Sequence, residues 1–169
     1  MGRRIHRRAL VAVCSLAVSL ALATPAPASA TVRIWEGLGV GSARLGYHDS
    51  TCIRSLGTRV ARSGRSTEYE GQTVYYAYLG TRLSSGSYPL EIYSNASRHV
   101  FIFVVNGSGY ATGRGARVGT TEAALRRAYG SALRRVPGSV YTKYVLGGRK
   151  GTDFYVRSGV VKQIMVRTY

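Results

Sequence analysis

The chain has 169 residues, 24 Lys and Arg against 7 Asp and Glu, and a formal net charge of +17; 45% of it is hydrophobic, with 21 Gly, 13 Tyr and 2 Cys. So apolar a composition excludes a disordered tail, and so few cysteines exclude a disulfide-dense scaffold. The length excludes a multi-domain enzyme of ordinary size.

The chain begins with the pattern of an export signal. Arg3, Arg4, Arg7 and Arg8 form a positive start, residues 9–23 are an apolar run, Pro25 and Pro27 interrupt it, and Ala28-Ser29-Ala30 supplies small residues for cleavage. That order predicts a secretory signal peptide over 1–30 and an extracellular destination. The apolar run falls short of the ~20 residues that span a bilayer. Val13 before Cys14 is not the small residue a lipid-attachment site requires. Cleavage leaves 20 basic and 7 acidic residues, a net charge of +13, and one cysteine, Cys52. A lone thiol forms no internal disulfide, and free cysteines are usually buried. No later stretch is apolar enough to span a membrane. The basic residues are dispersed, which favours a solvated surface attracted to polyanions over a specific nucleic-acid reader.

Two segments match at an offset of 73 residues. Ala43, Arg44, Gly46, Arg54 and Gly57 recur as Ala116, Arg117, Gly119, Arg127 and Gly130. The second segment reads as a capped helix. Thr120 or Thr121 caps its start, Glu122 complements the dipole in the first turn, Arg126 and Arg127 complement it near the end, and Gly130 suits the left-handed exit. Ala124, Leu125, Ala128 and Tyr129 form its apolar stripe. Cys52 aligns with Leu125, a core position. Strand-like runs follow each helix: 73–79, 91–95 and 100–105 in the first half, and 140–146, 153–157 and 160–166 in the second. The stretches 62–66, 86–89 and 147–151 read as loops, and 106–114 as a glycine-rich connector. The expected architecture is α+β: two tandem repeats, 31–108 and 109–169, each a short helical segment followed by about three antiparallel strands.

The glycine, Thr-bearing cap, two-turn helix and closing glycine of 116–130 resemble a signature found in the β-lactamase inhibitor proteins and the SmpA/OmlA-type outer-membrane assembly lipoproteins. The resemblance implies a tandem α/β fold and, in one version, inhibition of an exported enzyme. Tyr47 and Thr120 stand where that signature usually has Met. With Cys52 alone the inhibitor's disulfides cannot form.

Catalytic chemistry finds little support in the residues. His48 and His99 are the only histidines after the signal, no HExxH or CxxC occurs, and no metal or other cofactor is expected. Cys52 and His48 could meet at i, i+4 on a helix, but no orienting third group is visible. Glu68 and Glu70 share one face of an extended chain and read as a solvated edge. The chain is therefore read as non-enzymatic.

The tyrosines point to binding instead. Strand alternation, anchored on charged residues taken as exposed, assigns Tyr75, Tyr93, Phe101, Phe103, Tyr141, Tyr155 and Met165 to the sheet face away from the helices, rimmed by Lys143, Arg157 and Arg167. An aromatic face with basic neighbours has the composition of a protein interface. The expected function is a secreted module that binds another exported protein. The alternative is a basic envelope-associated protein that holds anionic wall polymers or lipid head groups.

Overall fold

The computed structural model describes residues 31–69 and 72–168, with the backbone alone at 67–69. The expected signal segment 1–30 and Glu70 lie outside these residues, as does the side chain of Glu68. About half of the described residues are in strands and 14% are helical. The elements in order are β1 (Val32–Trp35), β2 (Gly39–Val40), β3 (Ala43–Arg44), α1 (Asp49–Leu56), β4 (Val60–Tyr69), β5 (Gln72–Leu79), β6 (Leu90–Ser94), β7 (Val100–Val105), β8 (Tyr110–Thr112), α2 (Glu122–Tyr129), a 3-10 turn (Gly130–Ala132), β9 (Leu133–Val136), β10 (Thr142–Gly147), β11 (Lys150–Arg157) and β12 (Val160–Thr168).

This is a mostly β protein, which corrects the expectation of an α+β pair of helix-plus-three-strand repeats. An eight-stranded sheet runs in the order β4-β5-β6-β7-β12-β11-β10-β9, and a small sheet in the order β3-β2-β1-β8. Every neighbouring pair in the large sheet is antiparallel. The helices have eight residues each, too short to hold themselves without tertiary packing. Four strands of the large sheet follow each helix, not three. The additional strands, β4 and β9, are the edges of the sheet. An edge strand tolerates arginine, serine and glycine because it has a neighbour on one side only. For that reason 62–66 is strand, although its composition reads as loop.

One hydrophobic cluster forms on one face of the large sheet. Ala77, Leu79, Leu90, Ile92, Phe103, Val105, Phe154, Val156, Ile164 and Val166 contribute from the large sheet, Ile34, Val40 and Ala43 from the small one, and Cys52, Leu125 and Tyr129 from the helices. Burial pushes the Cys52 thiol above its ordinary pKa, and its Sγ lies 3.5 Å from the Arg44 carbonyl oxygen.

Both helices dock onto a hairpin by equivalent bonds. The amide of Gly46 donates to Val100 O at 2.7 Å, and that of Asp49 to Arg98 O at 2.8 Å. At α2, Gly119 donates to Val161 O at 2.9 Å and Glu122 to Gly159 O at 2.8 Å. Each helix thereby satisfies one of its orphan N-terminal donors with a turn carbonyl. Gly46 and Gly119 have φ of 84° and 96°, where a Cβ would be strained. The caps are His48, which accepts from the Ser50 amide, and Thr121, which accepts from Ala124.

At α1 a buried charge reinforces the dock. Asp49 is 4% exposed and receives Arg98 Nε at 2.6 Å and the Ser94 hydroxyl at 3.0 Å. Burial alone would raise its pKa, but the hydrogen bonds from Arg98 and Ser94, together with the Arg98 charge, bring it below the ordinary aspartate value. A carboxylate whose folded pKa is depressed stabilises the fold above its unfolded pKa. That stability fades as pH falls through the folded value.

Two predictions follow from the core and the dock. Phe103→Ala, at a site with no solvent exposure, is expected to lower unfolding free energy by about 3–5 kcal/mol in urea titrations. Asp49→Asn is expected to lower stability at pH 7 and to flatten the loss that the parent protein shows below about pH 4, read from denaturation midpoints across that range.

Candidate protein-binding face

The face of the large sheet opposite the core carries the residues that alternate with it. From the β4 edge inward these are Arg62 and Gly64, then Tyr76 and Tyr78, Glu91 and Tyr93, and Ile102 and Val104. Gln163, Met165 and Arg167 follow on β12, Asp153 and Tyr155 on β11, and Lys143 and Val145 on β10. The described helices and the small sheet pack on the other side.

At the centre lies an apolar groove of about 250 Å³ lined by Glu91, Tyr93, Ile102, Val104, Gln163 and Met165. A chain of hydrogen bonds holds its polar walls. Tyr93 OH donates to Glu91 Oε2 at 2.9 Å, Asn106 Nδ2 to Glu91 Oε1 at 2.9 Å, and Gln163 Nε2 to Asn106 Oδ1 at 2.9 Å. Burial, then the adjacent Glu91 charge and the hydrogen bonding of Tyr78 and Glu91, raise the Tyr93 pKa far above the ordinary phenol value. Tyr93 therefore remains a hydrogen-bond donor at any working pH.

Toward β4, the rings of Tyr76 and Tyr78 stack at 4.8 Å, and Tyr88 from the β5–β6 connection stacks on Tyr78 at 5.2 Å. Tyr76, Tyr78 and Tyr93 line a wider groove of about 510 Å³ together with Arg62, Arg65, Ser66 and Val74. Toward β9, Tyr141 meets Tyr155 edge to face at 6.2 Å. Arg167 binds Asp153 through Nε at 2.7 Å and Nη2 at 3.0 Å, with both side chains buried, and Lys143 Nζ lies 4.0 Å from the same carboxylate.

Of the residues that sequence reasoning assigned to this face, Tyr93, Tyr141, Lys143, Tyr155, Met165 and Arg167 lie on it, and Arg157 is exposed at the end of β11. Two do not belong to it. Phe103 is a core residue, and Tyr75 points with Ala77 and Leu79 toward the helix side, where Arg98 lies 4.3 Å over its ring. Phe101 falls at an irregularity: Ser94 pairs with Val100 and Tyr93 with Ile102, so Phe101 is skipped. A shift of one residue exchanges the faces of a strand. The residues that line the grooves instead are Tyr76, Tyr78, Ile102 and Val104. Ala77 and Leu79 carried the available signal, since small and aliphatic residues at i, i+2 mark the core face and leave Tyr76 and Tyr78 outside.

His48 and His99 pair across an isolated bridge with rings 6.2 Å apart. Cys52 Sγ contacts the Arg44 carbonyl oxygen. Among the described residues no group of three or more His, Cys, Asp and Glu is placed to hold a metal ion. No described helix is long and apolar enough to cross a membrane.

The two arginines that sequence reasoning placed on the rim differ in their consequences. Arg167→Ala leaves Asp153 buried without its main partner and is expected to cost about 3–5 kcal/mol of stability. Arg157→Ala is expected to stay within about 0.5 kcal/mol of the parent, as exposed substitutions usually do. Thermal or urea unfolding of both variants checks the contrast.

No family model and no curated protein matches the chain. Among solved structures it is similar to the uncharacterized protein yfeY from Escherichia coli, with a TM-score of 0.56 and 16% sequence identity over 81% of this chain and 99% of that one. At that identity the likeness is one of fold.

Proposed function

We propose that the protein is a secreted, non-catalytic module that holds another exported protein on the open face of its large sheet. The observation that carries this reading is the central groove, an apolar floor of Ile102, Val104 and Met165 beside Tyr93, on a face that none of the described helices covers. Aromatic, methionine and arginine side chains around a desolvated pocket are the usual anchors of protein interfaces. The bonded walls of the groove reduce the ordering cost of binding. The partner that fits presents an apolar side chain to the groove within an acidic surrounding, because the net charge of +13 that remains without residues 1–30 attracts an acidic surface and repels a basic one. Inhibition of an exported enzyme is one form this binding takes. The resemblance of the helical segments to the β-lactamase inhibitor proteins supports that form.

The second reading, attachment to anionic wall polymers or lipid head groups, is favoured by the same charge. Salt separates the two, since screening weakens exposed electrostatic contacts far more than a buried aromatic anchor. Affinity capture from the producer's culture fluid and envelope, at low and high salt, is expected to retain one discrete protein at high salt. Met165→Asp is expected to lose it while circular dichroism shows the protein still folded. Recovery of polymer or lipid alone, released by salt, overturns this reading.

A further inference from the structure

The eight-stranded sheet ends on β4, and its outer edge has no partner strand among the described residues. β4 has ten residues, whereas β9 at the opposite edge has four. Between Arg62 and Ser66 it pairs regularly with β5, and irregularities on either side bound this stretch. Among the described residues this edge therefore presents a row of backbone donors and acceptors. An added peptide strand matches that row.

The charged side chains on this regular stretch are Arg62 and Arg65. Arg62 and Arg65 are an odd number of residues apart and so rise from opposite faces of the strand. Arg62 is paired with Tyr78, and Arg65 with Tyr75. Arg65 Nη2 lies 3.4 Å from Thr73 Oγ1, and the Arg62 guanidinium is 6.0 Å from the Tyr76 ring centroid. Neither forms an ion pair among the described residues. At the foot of the strand a further groove of about 370 Å³ is lined by Arg59, Arg82 and Tyr88 among others. The stacked rings of Tyr76, Tyr78 and Tyr88 connect this groove to the wider one. Tyr76 reaches across β4 because residue 64 is glycine: a Cβ there would lie 2.6 Å from the Tyr76 hydroxyl.

We propose that β4 accepts an extended acidic segment of the partner protein as a ninth strand. Carboxylates on one face of that segment meet Arg62 over the tyrosine floor, and carboxylates on the other face meet Arg65. The regular backbone row specifies a peptide, and the arginines on both faces specify its charge. Pairing with a second copy of β4 is disfavoured, because it would bring the arginines of the two edges together. This inference rests on the reading of the protein as a binding module. It places a second contact beside the central groove.

The test uses the purified protein and a short peptide of glutamate, threonine and valine, followed by calorimetry and amide hydrogen exchange. Binding is expected with new exchange protection confined to 62–66. Arg62→Glu with Arg65→Glu, both at exposed positions, is expected to weaken it by roughly tenfold or more. The lysine analogue of the peptide is expected not to bind. Equal binding by inorganic polyphosphate or by a proline-interrupted acidic peptide would overturn the proposal, since charge alone would then suffice. Protection of another strand, or a dimer with β4 protected in the absence of peptide, would also overturn it. The assay needs no natural partner. Failure of the parent protein to bind the peptide while it still captures a partner refutes the edge alone, and peptide binding with no protein captured refutes the central groove alone.

Discussion

The pairing of β7 with β12 is the constraint on which the rest of the structure depends. Val105 faces Ile164 and Phe103 faces Val166 across this seam, and all four side chains enter the core. β7 is rich in Val, Ile and Phe and β12 in Val and Ile, and each would be an apolar edge if its half of the sheet stood alone. Such edges are sites of aggregation. Joining them gives every apolar strand two neighbours and leaves the arginine-bearing strands β4 and β9 at the outside. One core then serves both halves. A domain of this size needs that economy, because small cores bury too little surface to be stable separately.

The helices follow from the sheet. Each has two turns, too few to persist in isolation, and each is held where a turn carbonyl of a hairpin accepts an N-terminal amide. The left-handed glycines 46 and 119 set the approach. The two docks differ in how the first-turn acid is used. Asp49 is buried against Arg98 and Ser94, whereas Glu122 accepts the Tyr144 hydroxyl. A buried carboxylate is tolerable only when its partners are in place. Formation of α1 is thereby coupled to the β6–β7 turn, in which Arg98 has a φ of 64°.

What was legible in the sequence was what apolar patterning and capping chemistry encode. Strands β5, β6, β7, β10, β11 and β12 appear as Val-, Tyr- and Phe-rich runs. Both helices appear through Gly46, Gly119, Glu122 and the closing glycines. The edge strands do not appear, because an exposed edge selects Arg, Ser and Gly, the same residues that make loops. Their omission left a count of about three strands per half and an α+β class. The register was lost for a related reason. Irregular pairing at Tyr93/Ser94 and at Tyr155/Val156 shifts the alternation. Charged residues taken as exposed can also be buried, as Asp153 and Arg167 are, when they are paired. Alternation thus places residues on the open side of the sheet at β10, β11 and β12, and is one residue out on β5 and β7.

The ion pairs divide the open face by charge. Toward β9, the bidentate Arg167–Asp153 pair and the nearby Lys143 tie positive charge to a buried carboxylate, so this half offers mainly Tyr141, Tyr155 and their apolar neighbours. Toward β4, Arg62 has no such carboxylate among the described residues, and the tyrosines there stand beside its guanidinium. The single described carboxylate between the halves, Glu91, is committed to Tyr93 and Asn106. Attraction of an acidic partner is therefore strongest at the β4 side, while the area available for desolvated contact extends across the whole sheet. An encounter steered by the first and held by the second would show its salt dependence in the association rate more than in the dissociation rate.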